Sequence, residues 1–358
     1  MLRSRLMSTD SFSGKLLAWF NCHGRTDLPW QINPTAYRVW VSEIMLQQTQ
    51  VATVIPYYQK FMTRFPQVEA LAATPLDDVL HFWSGLGYYA RARNLHRAAG
   101  IVCRDHQGEL PMQFTALAAL PGIGRSTAGA ILALSSGQRY PILDGNVKRV
   151  LSRVHALAGW YGNAAVSKQF WDLAERHTPP HDVAAYTQAI MDLGATLCTR
   201  HRPACARCPL QAQCAAFRSG TVADFPESKP RRALPVRELR VLLLRDAAGA
   251  VLLQRRPPVG IWGGLWSFPE LPDDRDAQQW CRTQLHCRVR TIEEWPVLRH
   301  TFTHFHLDLR PLVARIENFD SVVMEQADQV WYNSAQPDRI GLAAPVARLL
   351  ARLQTVTA

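Results

Sequence analysis

Four cysteines, Cys198, Cys205, Cys208 and Cys214, fall within seventeen residues in the segment CTRHRPACARCPLQAQC, and they constrain this chain more than any other feature. One pair has the Cys-x-x-Cys spacing. Six residues separate Cys198 from Cys205, and five separate Cys208 from Cys214. Four thiols this close can close a metal site with no ligand from elsewhere, so the backbone between them must fold as one compact loop. A structural zinc site usually joins two short-spaced pairs from separated segments. A single run of four suits an iron–sulfur cluster better, because cubane clusters take four thiolates. On spacing alone zinc and a pair of disulfides stay open, the disulfides disfavoured because the chain shows no sign of export. Pro203 and Pro209 put turn chemistry beside the cysteines.

The chain has 358 residues, enough for two domains with cores of their own. Its 47% hydrophobic and 19% charged residues describe a globular chain and exclude a disordered one. No run approaches the ~18 apolar residues of a membrane helix. The opening MLRSRLMSTDSFSG is basic without an apolar centre, unlike a signal peptide. A cytoplasmic protein with reduced or metal-bound cysteines is expected. The net charge of +11 favours a polyanionic partner, nucleic acid first, with a generic basic enzyme as the alternative.

From Ser11 to about Phe217 the pattern is helical: KLLAWF, VWVSEIML, ATVIPYYQKFMTRF, TAGAILALS, VKRVLSRVHAL and AYTQAIMDLGATL place apolar residues three and four apart. Pro66, Pro75, Pro111, Pro121 and Pro141 punctuate them. Composition changes in RSGTVADFPESKPRRALPVRE, where mixed charge and Pro226, Pro230 and Pro235 mark an interdomain linker. Beyond it, ELRVLLLRD and AVLLQRR form a hairpin pattern, and LWSFPEL, VRTIEEW, FHLDLRPLVARI and QVWYN are further strand candidates. DAQQWCRTQL and APVARLLARLQ have helical spacing. The expected architecture is multidomain: an all-α domain over residues 1–217, a linker over 218–237 and an α+β domain over 238–358.

Four segments carry chemistry. In LPGIGRSTAGAILAL, Pro121, Gly122 and Gly124 form a tight hairpin ahead of a helix that begins near Arg125. Glycines let backbone approach a ligand, and helix N-terminal N–H groups bind phosphate. This is the layout of a helix–hairpin–helix, which grips a DNA strand by its backbone. In YPILDGNVKRVL, Asp144 follows an apolar run and precedes a helix. It is placed to cap that helix, to serve as a working carboxylate, or both. In VWVSEIMLQQTQV, Glu43 sits among apolar residues, where desolvation raises a carboxylate pKa and suits it to donate a proton; a solvent-facing glutamate is the bland alternative. Gln47 and Gln48 follow, with amides able to bond base edges. GLGYYARARNL offers two tyrosine faces beside Arg91 and Arg93, for stacking on bases and holding phosphates or, equally, for core packing.

Together these ordered segments, over roughly Leu28 to Cys214, resemble the helix–hairpin–helix DNA glycosylases of the endonuclease III superfamily. The resemblance implies a four-iron, four-sulfur cluster on Cys198, Cys205, Cys208 and Cys214. It implies duplex DNA contacts from Leu120, Pro121, Gly122, Gly124 and Ser126, with Arg200 and Arg202 of the cysteine loop against phosphates. Bifunctional members carry a lysine one residue past the Arg of LPG-x-G-R. Here that place holds Ser126, which cannot form a Schiff base, so a monofunctional enzyme is expected.

Within the superfamily, the segments around Glu43, Tyr88 and Asp144 look closest to the MutY-type adenine DNA glycosylases, which remove adenine mispaired with 8-oxoguanine or guanine. That implies Glu43 and Asp144 as catalytic, Gln31, Leu46 and Gln188 around the adenine, and Gln48 and Tyr88 at the opened base stack. Gln31 and Gln188 depart from the arginine and glutamate of many relatives. LLLRDAAGAVLLQRRPPVGIWGGLWSFPE looks like the opening of a Nudix-type domain, yet LPDDRDAQQWCRTQLHC follows where an acidic Mg²⁺-binding box would stand. A working diphosphohydrolase is therefore not expected. The resemblance implies a degenerate domain that recognises 8-oxoguanine through Phe302, Thr303 and His304, with Thr303 in place of a serine. A monomer acting on nucleoid DNA in the cytoplasm, with no membrane partner, completes the expectation. The competing readings are a glycosylase for oxidised pyrimidines or mispaired thymine, an iron–sulfur DNA sensor, and a nucleotide pyrophosphatase.

Overall fold

The computed structural model describes residues 10–229, 233–319, 328–335, 337 and 339–355. Contacts divide the chain into two compact units, one of residues 1–73 and 94–231, the other of 74–93 and 232–358.

Among the described residues of the first unit there is no strand. Its principal helices are Phe12–His23, Ala36–Leu46, Val51–Arg64, Arg125–Ser136, Gly145–His155, Ala164–His177 and Val183–Thr196. Their ends are set locally. Ser11, Thr35, Asp144 and Asn163 cap N-termini with side-chain oxygens, satisfying N–H groups that the helix cannot pair itself. Gly137 closes Arg125–Ser136 in the left-handed conformation at φ +70°, which costs glycine nothing.

The helix Val183–Thr196 lies at the centre and packs on Phe12–His23, Arg125–Ser136 and Gly145–His155. Its Ala189, Ile190 and Leu193 meet Leu143, Val147, Leu151 and Phe170 in one buried cluster. Each large side chain buried there stabilises the fold by roughly 1.5–3 kcal/mol. The cluster matters for function because Leu143 and Val147 flank Asp144, so packing fixes the backbone on both sides of that carboxylate.

Among the described residues, the second unit is built on a mixed eight-stranded sheet. The strands Val236–Arg245 and His306–Phe319 run parallel in continuous register from Val236↔His306 to Arg245↔Arg315. Val241 to Leu244 are fully buried without alternation, as in a strand covered on both faces. Val251–Arg255 returns antiparallel to the first strand through a turn held by the Asp246 carboxylate, which accepts from Ala250 N–H at 2.7 Å. Leu298–Thr301 and Cys287–Glu294 pair antiparallel with the long strand, and Gln329–Tyr332 pairs with Val251–Arg255. The helices Ala277–Gln284 and Ala344–Thr355 complete it. These elements fall on the strand and helix patterns of the sequence, except Leu298–Thr301, which no strand pattern marks.

The grouping of residues 74–93 departs from a simple division at 217 and 238. This stretch carries helix Leu76–Trp83 and the GLGYY turn, and its polar anchors lie in the second unit. Tyr89 hydroxyl donates to Leu342 carbonyl at 2.8 Å, Arg93 donates to Gly263 carbonyl at 2.6 Å, and Asp77 pairs with Arg255. Sequence order alone cannot reveal partners some 170 to 250 residues away. No helix among the described residues is long and apolar enough to cross a membrane.

Candidate active site

Glu43 sits in Ala36–Leu46, between the buried Ser42 and Ile44, on a helix that packs against Arg125–Ser136. Burial first, and the charge of Asp144 second, push its carboxyl up to about 8. Asp144 caps Gly145–His155 and accepts from Val147 N–H at 2.7 Å and from the Asn146 side-chain amide at 3.2 Å. Burial also raises Asp144 above the ordinary carboxylate range, while the Val147 N–H, the Arg149 guanidinium and the Asn146 amide pull it back. Two neighbouring carboxylates cannot both ionise cheaply, so they titrate as a pair. The groups that favour the charged form gather on Asp144, and among the described residues no hydrogen bond reaches the Glu43 carboxyl. The first proton of the pair therefore belongs on Glu43. An acid beside a carboxylate is the result.

Ser126 ties this site to the hairpin. It lies in the first turn of Arg125–Ser136, and its hydroxyl accepts from Leu143 N–H at 2.9 Å, one residue before Asp144. In the hairpin, Gly122 has φ +80°, and a Cβ there would lie 2.9 Å from the Asn94 Cβ. Gly124 precedes the helix, and a Cβ on it would meet nothing within 4 Å, which leaves the helix N-terminus open to a phosphate. The Leu120 side chain is buried, so only backbone is available there to a DNA strand.

Gln31 and Gln188 line one cavity of about 270 Å³, together with Arg25, Thr26, Trp30 and Val39. Val39 is one helical turn before Glu43. Leu46, at the end of the same helix, is outside that wall. The polar residues of this wall, Arg25, Gln31 and Gln188, are connected to one another and to the buried Asp192. Asp192 accepts from Arg25 Nη2 at 2.6 Å and from Gln188 Nε2 at 2.8 Å, and Gln31 donates to Arg25 carbonyl at 2.9 Å.

The four cysteines follow Val183–Thr196 and line a second cavity with Val150, Arg153, Leu193 and Leu210. Among the described residues no three or more His, Cys, Asp or Glu side chains gather as ligands for a metal ion. A cluster asks for something different, four thiolates spread around several iron atoms, and this donor set matches that chemistry. Arg153 holds the loop: it donates to Cys198 Sγ at 3.4 Å and to the carbonyls of Thr199, Arg200, Val222 and Phe225. Arg149 links the loop to the carboxylates. It donates to Cys198 carbonyl at 2.7 Å, to Gly194 carbonyl at 2.7 Å and to the Asn146 side chain at 2.7 Å, and Asn146 in turn bonds Asp144.

Gln48 is exposed with φ +57°, and Tyr88 is 47% exposed with φ +49°. Non-glycine residues in this region are strained, and such strain gathers at functional positions. The rest of GLGYYARARNL turns inward. Tyr89 is buried, Arg91 is buried against the Trp83 and Tyr88 rings and donates to Gly87 carbonyl, and Arg93 is held by Gly263. These arginines support the turn and are not offered to a phosphate. Arg200 and Arg202 are exposed on the cysteine loop.

Phe302, Thr303 and His304 form the tight turn between Leu298–Thr301 and His306–Phe319, closed by Phe302 N–H to Phe305 carbonyl at 2.9 Å. Phe302 stacks on Phe305 with centroids 4.5 Å apart and lies beside His300 and Trp262, while Thr303 and His304 are exposed at the tip.

Sequence reasoning missed Arg25, Asp192, Asn146, Arg149 and Arg153. One signal was present: Asp192 stands in the apolar helix run AYTQAIMDLGATL and is fully buried, so it required a partner.

The HhH-GPD superfamily of base excision DNA repair proteins matches residues 41–176, and a NUDIX domain matches 240–352. Adenine DNA glycosylase of Buchnera aphidicola subsp. Acyrthosiphon pisum is 39% identical over 339 residues, spanning 95% of this chain and 96% of that protein. The Homo sapiens adenine DNA glycosylase is 36% identical over 361 residues, spanning 83% of this chain and 65% of that protein. A solved thermostable thymine-DNA glycosylase superposes with a TM-score of 0.53 at 28% identity, over 58% of this chain and 95% of its own. An endonuclease III–DNA complex shares the fold at a TM-score of 0.50 and 19% identity, over 58% of this chain and 94% of its own.

Proposed function

The chain belongs to the adenine DNA glycosylases, and from that premise we propose that its adenine stands opposite 8-oxoguanine or guanine in duplex DNA and is released by hydrolysis alone. It is a DNA glycosylase, a hydrolase acting on adenine in DNA. The pairing of Glu43 with Asp144 carries the mechanistic reading.

The adenine flips out of the duplex, at a cost of a few kcal/mol that is least at a mispair. It enters the cavity walled by Gln31 and Gln188, while Gln48 and Tyr88 hold the opened stack. Glu43, protonated through burial, donates to N7 and makes the base a better leaving group. The glycosidic bond breaks with positive charge developing on the sugar, as in glycoside hydrolysis. Asp144, kept ionised by its cap bonds, stabilises that charge. Glu43, now a base, takes a proton from the attacking water. Ser126 carries no amine, so the sugar is left as an intact abasic site.

Cys198, Cys205, Cys208 and Cys214 would hold one four-iron, four-sulfur cluster. When bound it supplies cohesion to the loop, since hydrolysis of a glycosidic bond moves no electrons. Arg200 and Arg202 on that loop, and the backbone at Pro121, Gly122 and Gly124, meet phosphates. Phe302, Thr303 and His304 recognise the 8-oxoguanine. The enzyme works as a monomer on nucleoid DNA in the cytoplasm.

Glycosylase assays on duplexes with 8-oxoguanine:A, G:A, T:G and thymine glycol, with and without alkali, test this reading. The expected result is breakage of the adenine strand only after alkali. Breakage without alkali, or release from the T:G or thymine glycol duplex instead, contradicts it.

A further inference from the structure

Arg153, in the last turn of Gly145–His155, is only 3% exposed. Its guanidinium bonds to carbonyls and one sulfur. Nε donates to Val222 carbonyl at 3.1 Å and Phe225 carbonyl at 3.0 Å, Nη1 to Thr199 carbonyl at 2.8 Å and Cys198 Sγ at 3.4 Å, and Nη2 to Arg200 carbonyl at 3.2 Å. Among the described residues no carboxylate pairs with it. The nearby sequence offers none: from Leu193 to Ala223 there is no Asp or Glu, while Arg200, Arg202, Arg207 and Arg218 add positive charge. Arg149, on the same helix, is close enough for the two charges to repel. A cation buried this deeply needs a counter-charge.

The same guanidinium joins two segments. Thr199 and Arg200 belong to the cysteine loop. Val222 and Phe225 belong to the proline-bearing stretch that follows it in sequence and leads to strand Val236–Arg245. Val222 also walls the cavity lined by Cys198, Cys205, Cys208 and Cys214. Further along, Lys229 Nζ sits over the Trp160 ring at 5.5 Å. The first part of the linker is therefore fastened to the helical unit, and its firmest hold is a buried charge beside the cysteines.

We propose that Arg153 is a positioning residue that fastens residues 219–229 to the helical unit, and that it does so only while a cluster on the four cysteines supplies its counter-charge. The inference rests on the reading of those cysteines as cluster ligands. Four thiolates on a four-iron, four-sulfur core make a net anion. Beside that anion Arg153 stays buried, and its fork spans the loop and the linker together. Without it the guanidinium gains by turning to water, and the Val222 and Phe225 carbonyls lose their donor. The free tether then begins near Arg218 instead of after Lys229. A longer tether lowers the effective concentration of one unit for a duplex held by the other. Loss of the cluster is thereby passed on to the second unit.

The test is amide hydrogen exchange of the full chain, read peptide by peptide, in wild type and Arg153→Met. Each is measured as isolated and after a chelator strips its iron under reducing conditions, with iron and sulfide counted in every sample. In wild type, stripping should speed exchange over 219–229 by about 10-fold or more while helix Ala36–Leu46 stays protected. In Arg153→Met the stretch should exchange fast with iron in place and change little when it is removed. If Arg153→Met does not fold, the wild-type pair decides alone. Equal protection of 219–229 with and without iron is what a merely structural Arg153 gives, and it overturns the proposal. A uniform rise across the helical unit overturns it too. Isolated protein without iron and sulfide defeats the cluster reading itself, and the inference falls with it.

Discussion

Burial and, after it, the charge of Asp144 raise the Glu43 pKa to about 8, while Asp144 itself accepts from the Val147 N–H and the Asn146 amide. One carboxyl is thus supported as an acid and its neighbour as an anion. The same relationship carries a cost to the folded state, and it can be measured there.

A carboxyl with a raised folded pKa binds its proton more tightly folded than unfolded. Its stabilising effect is complete below the ordinary glutamate value and is lost as pH rises through about 8. Glu43→Gln removes the titration. The variant is expected to be more stable than wild type at pH 8, by on the order of 2 kcal/mol, with little difference at pH 4. Thermal melts at the two pH values check this.

His155 and His177 approach Nε2 to Nε2 at 2.8 Å, and His177 stacks on Phe12 at 4.0 Å. Burial lowers both, His177 to about 4, with each ring also disfavoured by Arg176. For a base with a depressed pKa the unfolded chain takes up protons first. Stability should therefore fall as pH drops from about 6.5 toward 4. Denaturant midpoints across that window should show the decline, and His177→Phe should flatten it.

Ser126→Ala removes the acceptor of the Leu143 N–H and leaves a buried donor unpaired. A loss of about 1–2 kcal/mol is expected. Because Leu143 adjoins Asp144, release of adenine should also slow several-fold. Denaturation and single-turnover kinetics separate the two effects.

Arg149→Met deletes three bonds that join the cysteine loop, Gly194 and Asn146. Hydrogen bonds from a charged donor are worth roughly 1.5–3 kcal/mol each when lost from a buried site. The variant should lose bound iron per chain and slow adenine release together. Full iron content with a slow rate would confine Arg149 to the Asn146–Asp144 side.

Much of this was legible in the sequence because it is local. The hairpin glycines, the cap at Asp144 and the cysteine spacing each lie within a few residues of the structure they make. The apolar neighbours of Glu43 left it open between a buried acid and a solvent-facing glutamate. The Arg25–Asp192–Gln188 chain was not legible, since its members meet across 167 residues. Nor was the fate of Tyr89, Arg91 and Arg93, whose spacing suits a nucleic-acid surface and core packing equally. Burial and long-range partners decide between those, and neither is written in a spacing pattern.

The most direct measurement is single-turnover release of adenine from an 8-oxoguanine:A duplex by wild type and Glu43→Gln across pH. The wild-type single-turnover rate should fall as pH rises through about 8, where Glu43 gives up its proton. Glu43→Gln should be slower by roughly 10²–10⁴-fold and lack that limb. Near-normal release by Glu43→Gln, with the same pH dependence, would contradict the assignment of Glu43 as the acid.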